Sequence, residues 1–223
     1  MCARYNLRLT NVEMRDFLDV SVEPFVLRYN IAPTQKVITV NQEDGHRVAK
    51  QRKWGLIPSW SKDMKLAATM INARSETVAT KPAFRSAVKK RRCLVPSTGF
   101  YEWTGAAKAK QPWLIEFETG EPMIFAGLWE SWKSPEGEAV ESCTILTTSA
   151  NEFMSQVHDR MPVILAKEKW DFWLDTEIAT AEPYHHLFEP WAGEPLKRTP
   201  MDPKLNSSKN EGVGVFEKLS AAD

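Results

Sequence analysis

The sequence predicts an α+β protein built around an antiparallel, barrel-like β-sheet core with short flanking helices. Short strand-like segments recur along the chain, and only a few short helix-like segments stand between them. The regular alternation of strands and helices that is typical of a parallel α/β fold is absent.

Length and composition predict a single domain over residues 1–223, with a polar tail from about residue 195. The chain is 43% hydrophobic and 26% charged, which is typical of globular proteins. Its formal net charge is zero, so any site for a polyanion has to be a local patch. The chain has neither a signal-like N-terminus nor an apolar run of about 18 residues. We therefore expect a cytoplasmic monomer without membrane contact.

In the first half of the chain, Thr10 and Glu13 have the spacing of a capping box, which predicts a helix to about Val20. A second helix is predicted over residues 82–90, with Pro82 in its first turn. Short strands are predicted at residues 36–40, 48–56, 92–96 and 100–104.

The second half begins with a predicted hairpin, in which residues 113–117 and 123–128 flank a turn at 118–122. A strand follows at 142–148. Ser149 and Glu152 form a second capping-box pattern, which predicts a short helix running toward His158. A further helix is predicted at 167–174.

The usual catalytic and cofactor motifs are absent from the sequence. There is no GxGxxG, Walker, HExxH or GxSxG pattern, and the three cysteines have no CxxC spacing. Neither a disulfide framework nor a zinc site is expected, which suits a reducing compartment. We expect no metal or organic cofactor.

Cys2 is notable for its position, because removal of Met1 makes it the N-terminal residue. It then carries an amine and a thiol on adjacent carbons. The amine has an ordinary pKa of about 7.7–8.0, against about 10.4 for lysine, so much more of it is unprotonated at neutral pH. Such a residue can form an imine with an aldehyde and then close to a thiazolidine.

Seven motifs in order from residue 2 to about 165, with a weaker match at 203–212, resemble the SOS response-associated peptidase (SRAP) family. The motifs are MCARY (1–5), RYNIAP (28–33), WGLIPSW (54–60), INARSET (71–77), RCLVP (92–96), GFYEW (99–103) and HDRMP (158–162). Ala3 departs from the family's usual glycine.

This resemblance implies a fold and a chemistry. Members of the family have an α+β fold around a barrel-like sheet, and they sense abasic sites in single-stranded DNA. They form a reversible thiazolidine between the N-terminal cysteine and the ring-opened sugar, after autocatalytic loss of Met1. Carried over by motif, the catalytic residues are Cys2, Asn72, Glu102 and His158. The protein is then expected at the nucleoid when it is bound to damaged DNA.

Each side chain suits a role in this chemistry. His158 can exchange protons at neutral pH and so help to open the sugar ring and reverse the crosslink. Burial between Tyr101 and Trp103 is expected to raise the pKa of Glu102, which can then shuttle protons. Asn72 can donate and accept hydrogen bonds without titrating, and so can hold the amine or a sugar hydroxyl.

Contacts with DNA are expected from three arginines that suit phosphates, from Trp60 and Pro33, which can stack on bases or wedge the strand, and from one asparagine. The arginines and the asparagine are Arg4, Arg74, Arg160 and Asn30. For Arg160, an ion pair with Asp159 or Glu102 is the alternative.

Two other functions remain open at the level of sequence. One is a cysteine peptidase acting in trans, with Cys2 and His158 as a dyad, which would need an oxyanion hole. The other is a non-covalent reader of modified or single-stranded DNA. Its binding would be salt-sensitive and would persist in Cys2→Ser.

Overall fold

The computed structural model describes residues 2–106, 110–178 and 180–216. The strands within these ranges are β1 (Tyr5–Leu7), β2 (Arg28–Ile31), β3 (Lys36–Glu43), β4 (His46–Trp54), β5 (Asn72–Arg74), β6 (Arg92–Ser97), β7 (Gly99–Thr104), β8 (Gln111–Phe117), β9 (Met123–Lys133), β10 (Ala139–Ser149), β11 (Arg160–Pro162) and β12 (Leu196–Pro200).

The helices are short. The α-helices are α1 (Asn11–Leu18), α2 (Ala87–Lys90), α3 (Glu152–Ser155) and α4 (Trp170–Leu174). The 3₁₀ helices are Met64–Thr69, Ser75–Thr77, Lys167–Lys169, Glu182–Phe188, Pro203–Asn206 and Val213–Val215. No helix among the described residues is long and apolar enough to span a membrane.

Five of the strands close into a barrel. In the larger sheet the order is β11-β10-β4-β3-β6-β9, and β9 also pairs with β10, so the ring runs β10-β4-β3-β6-β9 and back to β10. The smaller sheet has the order β12-β8-β7-β1-β2. The α+β class and the barrel-like core are thereby confirmed. The larger sheet is mixed rather than purely antiparallel, because β10 runs parallel to β4 and to β5.

The predicted hairpin over 113–128 is wrong, because its two strands lie in different sheets. β8 pairs with β7 and β12, whereas β9 pairs with β6 and β10. Both strands are largely buried on both faces, so each needs strand neighbours and cover that a lone hairpin cannot supply. The intervening residues 118–122 carry the chain from one sheet to the other.

The first capping box is confirmed. The Thr10 hydroxyl accepts from the Glu13 N–H, and the Glu13 carboxylate accepts from the Thr10 N–H at 2.8 Å. The helix ends at Leu18, where Asp19 adopts a left-handed conformation with φ 50°. This local motif therefore sets the start of α1 as the sequence predicts. The helix ends two residues before the predicted end at about Val20.

Two other helices begin later than predicted. α2 begins at Ala87 rather than residue 82, after a series of turns. α3 is capped by Asn151, whose side chain accepts from the Met154 N–H at 2.9 Å. Ser149 cannot cap it because this residue is still in β10, opposite Arg160 of β11. The segment predicted as a helix at 167–174 is a 3₁₀ turn followed by α4.

Candidate functional site

The two sheets bring four distant segments together around the N-terminus. β1 pairs with β7, and the Tyr101 N–H donates to the Arg4 carbonyl at 2.9 Å, which sets Glu102 alongside the first residues of the chain. β10 carries the other two segments, because β5 with Asn72 lies parallel to it and β11, just after His158, lies antiparallel to it.

Asn72 is in direct contact with Cys2. Its Nδ2 donates to the Cys2 carbonyl oxygen at 2.8 Å. Its Oδ1 is buried, and no donor within the described ranges reaches it. A buried acceptor without a partner costs free energy, so this atom is prepared to receive an N–H that enters the site.

The Cys2 thiol is fully buried, and its pKa is raised by that burial and by the nearby Glu102 carboxylate. The Sγ lies 3.9 Å from the Arg4 carbonyl oxygen, which makes it at most a weak donor there. The thiol is therefore held in its protonated form, in contrast to the exposed, electropositive setting of a thiolate nucleophile.

Glu102 is 4% exposed, and burial raises the pKa of its carboxyl. A neighbouring His158 opposes this rise, and Asp159 adds to it. Electrostatic coupling thus ties Glu102 to Cys2 on one side and to His158 on the other. A carboxyl whose pKa is raised holds its proton more readily than an exposed one, which suits a group that passes protons to and from its neighbours.

His158 has two partners at the same ring nitrogen. Its Nδ1 accepts from the Arg160 backbone N–H at 2.9 Å and lies 2.7 Å from the Asp159 carboxylate. The first contact requires a bare Nδ1, whereas the second requires Nδ1–H, so only one of the two can form at a time. Nδ1 of His158 can therefore exchange a backbone N–H partner for a carboxylate partner without a change in the position of the ring.

Arg160 pairs with Glu76, and not with Asp159 or Glu102 as the alternative had it. Its guanidinium makes a bidentate contact with the Glu76 carboxylate, and Nη2 also donates to the Thr147 carbonyl oxygen at 2.6 Å. The Arg160 side chain is only 12% exposed. Its guanidinium therefore fixes the segment that follows His158, and little of it reaches the surface.

Arg4 and Asn30 form one buried network with the C-terminal segment. Arg4 Nη1 donates to Asn30 Oδ1 at 2.6 Å and to the Leu205 carbonyl oxygen at 3.1 Å. Asn30 is fully buried, and its Nδ2 donates to the Ser207 and Asn210 carbonyl oxygens. The side chain of Asn30 is therefore out of reach of a strand at the surface, and it supports Arg4 from within.

The other three residues expected to contact DNA lie at the surface. Arg74 is exposed at the end of β5, two residues after Asn72. Trp60 is 59% exposed. Pro33 is half-buried and precedes Thr34, which has a φ of 73°, a strained conformation for a β-branched residue. Backbone strain of this kind is common at functional sites.

Some residues of the site carry no clear signal in the sequence. Glu76 follows Asn72 and Arg74 in the same motif, but its partner Arg160 is 84 residues away in the chain. Trp103, Lys110 and Asn206 meet beside Ala3 and Arg4 only through tertiary packing. Within the described residues, no group of three or more histidine, cysteine, aspartate or glutamate side chains is placed to hold a metal ion.

Residues 1–208 match the family described as SOS response associated peptidase (SRAP). The chain is 40% identical over 191 residues to the abasic site processing protein YoqW of Bacillus subtilis, with 85% of each chain covered. It is 36% identical over 223 residues to YoaM, another abasic site processing protein of that organism, with 97% of this chain and 98% of YoaM covered. A crystal structure from Bacteroides thetaiotaomicron superposes with a TM-score of 0.87 at 24% identity, covering 98% of this chain and 100% of the other, which shows the fold alone.

Proposed function

Because the chain belongs to the SOS response associated peptidase family, we propose that it processes abasic sites in DNA by forming a reversible thiazolidine crosslink through Cys2. Abasic site processing is what the names of its relatives state of those proteins. The convergence of Asn72, Glu102 and His158 on Cys2 is the observation that carries the proposal.

The first step is loss of Met1, which exposes the amine of Cys2. Water adds to the Met1 carbonyl, the amide bond to Cys2 breaks, and the Cys2 nitrogen takes up a proton. Glu102 is coupled to Cys2 and has a raised pKa, so it is suited to take the proton of the water and return it to this nitrogen. The new amine can donate to Asn72 Oδ1.

The amine reacts first with the ring-opened sugar. Its nitrogen bonds to the aldehyde carbon C1′, and the carbonyl oxygen leaves as water, which gives an imine. The order follows from the thiol, whose raised pKa keeps it protonated and weakly nucleophilic until an electrophile lies beside it. Glu102 supplies the proton that the departing hydroxyl needs.

The thiol then closes the ring. Its sulfur bonds to the imine carbon, the S–H bond breaks, and its proton passes by way of Glu102 to the imine nitrogen. The complete reaction joins protein and sugar with the loss of one water. The reverse sequence releases the DNA.

His158 acts on the closed form of the sugar. An abasic sugar is mostly a hemiacetal, and opening it requires removal of the proton from the C1′ hydroxyl and delivery of a proton to the ring oxygen. The two alternative partners of Nδ1, the Arg160 N–H and the Asp159 carboxylate, hold the ring in place with Nδ1 either bare or carrying a proton.

The substrate we propose is single-stranded DNA. Arg74 offers an exposed guanidinium beside Asn72 for a phosphate. The exposed ring of Trp60 suits stacking on an unpaired base, which is tolerant of sequence. Pro33, next to the strained Thr34, is suited to wedge between bases.

The rival peptidase activity in trans is less well supported. A Cys2–His158 dyad requires a thiolate, and both burial and the Glu102 carboxylate disfavour that form. Crosslinking through the amine needs no thiolate at the start.

The test is a denaturing gel of the protein mixed with a single-stranded oligonucleotide that carries one abasic site. Native protein, shown by intact mass to lack Met1, is expected to give a shifted band that survives heating. Cys2→Ser retains an amine without a thiol, so it is expected to give only an imine, which needs reduction by borohydride to survive. Cys93→Ser, which changes another buried cysteine, is the control and is expected to crosslink like native.

Absence of a shifted band from Met1-free native protein would contradict the proposal. Salt-sensitive binding without a covalent band would instead favour a non-covalent reader. Cleavage of added peptides in a Cys2-dependent manner would favour the peptidase.

A further inference from the structure

An open strand edge lies where β4 and β10 separate. In the hairpin of β3 and β4, the Trp54 N–H donates to the Gln35 carbonyl oxygen at 2.8 Å. Because bonded and non-bonded pairs alternate along antiparallel strands, the backbone groups of Ala49 and Gln51 point away from β3. β10 is the other neighbour of β4, and it pairs with β4 only at Lys53 and Trp54. Before Lys53, this edge of β4 therefore has no partner strand among the described residues.

A cavity of about 870 Å³ occupies the gap between the two strands. Ala49 and Gln51 of β4 and residues 139–141 of β10 line it, and residues 22–24 line it as well. Gln51 is exposed, and Ala49 is half-buried. The open edge of β4 thus borders a space that is accessible from solvent.

The inner side of the gap is closed by a buried ion pair. Arg52 Nε of β4 lies 3.0 Å from Glu141 Oε2 of β10, and Arg52 is fully buried. The Arg52 guanidinium also donates to the side chains of Thr39 and Asn41 on β3. These bonds tie the two strands together beside the cavity, so the gap is a fixed feature of the barrel.

Two lysines give this edge a positive charge. Lys36 and Lys53 are directly opposite each other in β3 and β4, and both line the cavity. Like charges at opposite positions of a sheet destabilise it. Neither lysine has an ion-pair partner within the part of the chain that the structure describes. An anionic ligand would relieve this repulsion.

The other charged groups of the lining add little to this charge. Lys50 pairs with Glu43, and Glu141 pairs with Arg52. Glu23 is the one further carboxylate among the described lining residues. The two unpaired lysines outweigh it, so the cavity favours a negatively charged ligand.

We propose that the open edge of β4 binds an extended, acidic peptide segment of a partner protein. The segment adds a strand beside Ala49 and Gln51, and its carboxylates contact Lys36 and Lys53. A peptide satisfies both the N–H and the C=O groups of the edge, whereas the phosphates of a nucleic acid only accept hydrogen bonds. Pairing with a second copy of this chain would bring lysines together. The inference is independent of the chemistry at Cys2.

The probe is a fluorescein-labelled peptide of alternating aspartate and valine with blocked termini. In an extended strand this alternation places every carboxylate on one face. Native protein is expected to bind the peptide saturably, as measured by fluorescence anisotropy, and added salt is expected to weaken the binding. The same peptide with lysine in place of aspartate is expected not to bind.

Ala49→Pro tests the strand edge itself. Proline lacks the N–H that points away from β3, and the bonds between β3 and β4 do not use that N–H. Binding of the peptide is expected to fall by about tenfold or more. Ala49→Ser keeps the N–H and is the matched control, which is expected to bind like native.

The lysines are tested separately. Lys36→Ala and Lys53→Ala are each expected to weaken binding of the peptide by about 2- to 5-fold, and Lys36→Arg is expected to retain it. The melting temperature of Lys36→Ala is expected to be no lower than that of native, because the change removes a repulsion. Lys167→Ala, which removes an exposed lysine outside the cavity lining, is expected to match native.

Absence of binding to native protein, or equal binding by Ala49→Pro and Ala49→Ser, would overturn the inference. If Ala49→Pro melts well below native, N-methylation of every second residue of the peptide removes the same bonds from the other partner. Undiminished binding of both alternately methylated peptides would then overturn the inference.

Two further outcomes would assign the edge to another partner and so contradict the inference. A dimer of native protein in sedimentation, abolished by Ala49→Pro, would identify a second copy as the occupant. Binding of oligothymidine that weakens in Lys36→Ala, without any binding of the acidic peptide, would assign the lysines to nucleic acid.

Discussion

Replacement of Asn72 by alanine tests the contact that fixes Cys2. The change removes the Nδ2 donor 2.8 Å from the Cys2 carbonyl oxygen, and it removes the Oδ1 that we propose receives the amine. The Cys2 backbone loses an anchor, and the amine loses its acceptor. We therefore expect slower crosslinking with a smaller effect on folding.

The magnitude follows from the two bonds. A neutral hydrogen bond contributes about 1 kcal/mol net, and a buried group left without its partner costs about 1–3 kcal/mol. Since about 1.4 kcal/mol corresponds to a factor of ten, a loss of about 1–3 kcal/mol lowers the single-turnover crosslinking rate of Asn72→Ala by about 5- to 140-fold. The melting temperature is expected to fall by about 2–4 °C for each kcal/mol of lost stability.

The assay is quenched single-turnover crosslinking at saturating DNA, with loss of Met1 checked by intact mass. Asn41→Ala is the matched control, since it deletes an amide on β3 that accepts from Arg52 Nη2 at 2.9 Å. It is expected to lower the melting temperature and leave the crosslinking rate near that of native. A rate for Asn72→Ala within twofold of native, from protein that has lost Met1, would show that the Asn72 amide does not hold Cys2 for the reaction.

Three further outcomes are expected. Glu102→Gln removes a carboxyl whose pKa is raised by burial, so the variant is expected to be more stable than native at neutral pH. This advantage is expected to disappear as the pH falls through the raised pKa toward the ordinary value of about 4.3. Unfolding in urea at pH 7 and pH 4 measures it, and an advantage that does not change with pH would contradict a raised pKa for Glu102. Glu76→Gln leaves Arg160 without its charged partner and is expected to lower the free energy of unfolding by about 1 kcal/mol. It is also expected to slow crosslinking, because Arg160 fixes the segment that follows His158. An unchanged urea midpoint together with an unchanged crosslinking rate would show that the Glu76–Arg160 pair has no such role. Thr34→Asn is expected to raise the free energy of unfolding by about 1 kcal/mol, because asparagine tolerates the left-handed backbone at this position. Thr34→Ala keeps a Cβ in that conformation and so is expected to keep the strain. Equal melting temperatures for the two variants would argue against strain at Thr34.

Local signals in the sequence predict the elements that depend on neighbours in the chain. The Thr10–Glu13 capping box sets the start of α1, since both of its hydrogen bonds form within four residues. Ser149 shows where such a signal fails. It has capping-box spacing, but pairing with β11 keeps it in a strand, and Asn151 caps the helix instead.

Strand pairing is predicted less well, because it depends on contacts between distant segments. The sequence of residues 113–128 predicts two apolar strands around a turn. That pattern is equally compatible with a hairpin and with a connection between two strands of different sheets. Only the burial of β8 and β9 on both faces distinguishes the two arrangements.

The candidate site shows the same difference between features that local sequence predicts and features that depend on distant contacts. The motifs predict Asn72, Glu102 and His158 as site residues. The fold places Asn72 in contact with Cys2, and it couples Glu102 electrostatically both to Cys2 and to His158. The buried state of Asn30 was not predictable, because it depends on the C-terminal segment that covers it about 180 residues later in the chain.

The intact mass of the crosslinked product tests the proposed covalent chemistry at Cys2 most directly. A thiazolidine at Cys2 is expected to give a species with the mass of the protein without Met1, plus the oligonucleotide, minus one water, and this species is expected to be stable without a reducing agent. An adduct that retains Met1, or one that forms equally well with Cys2→Ala, would contradict it.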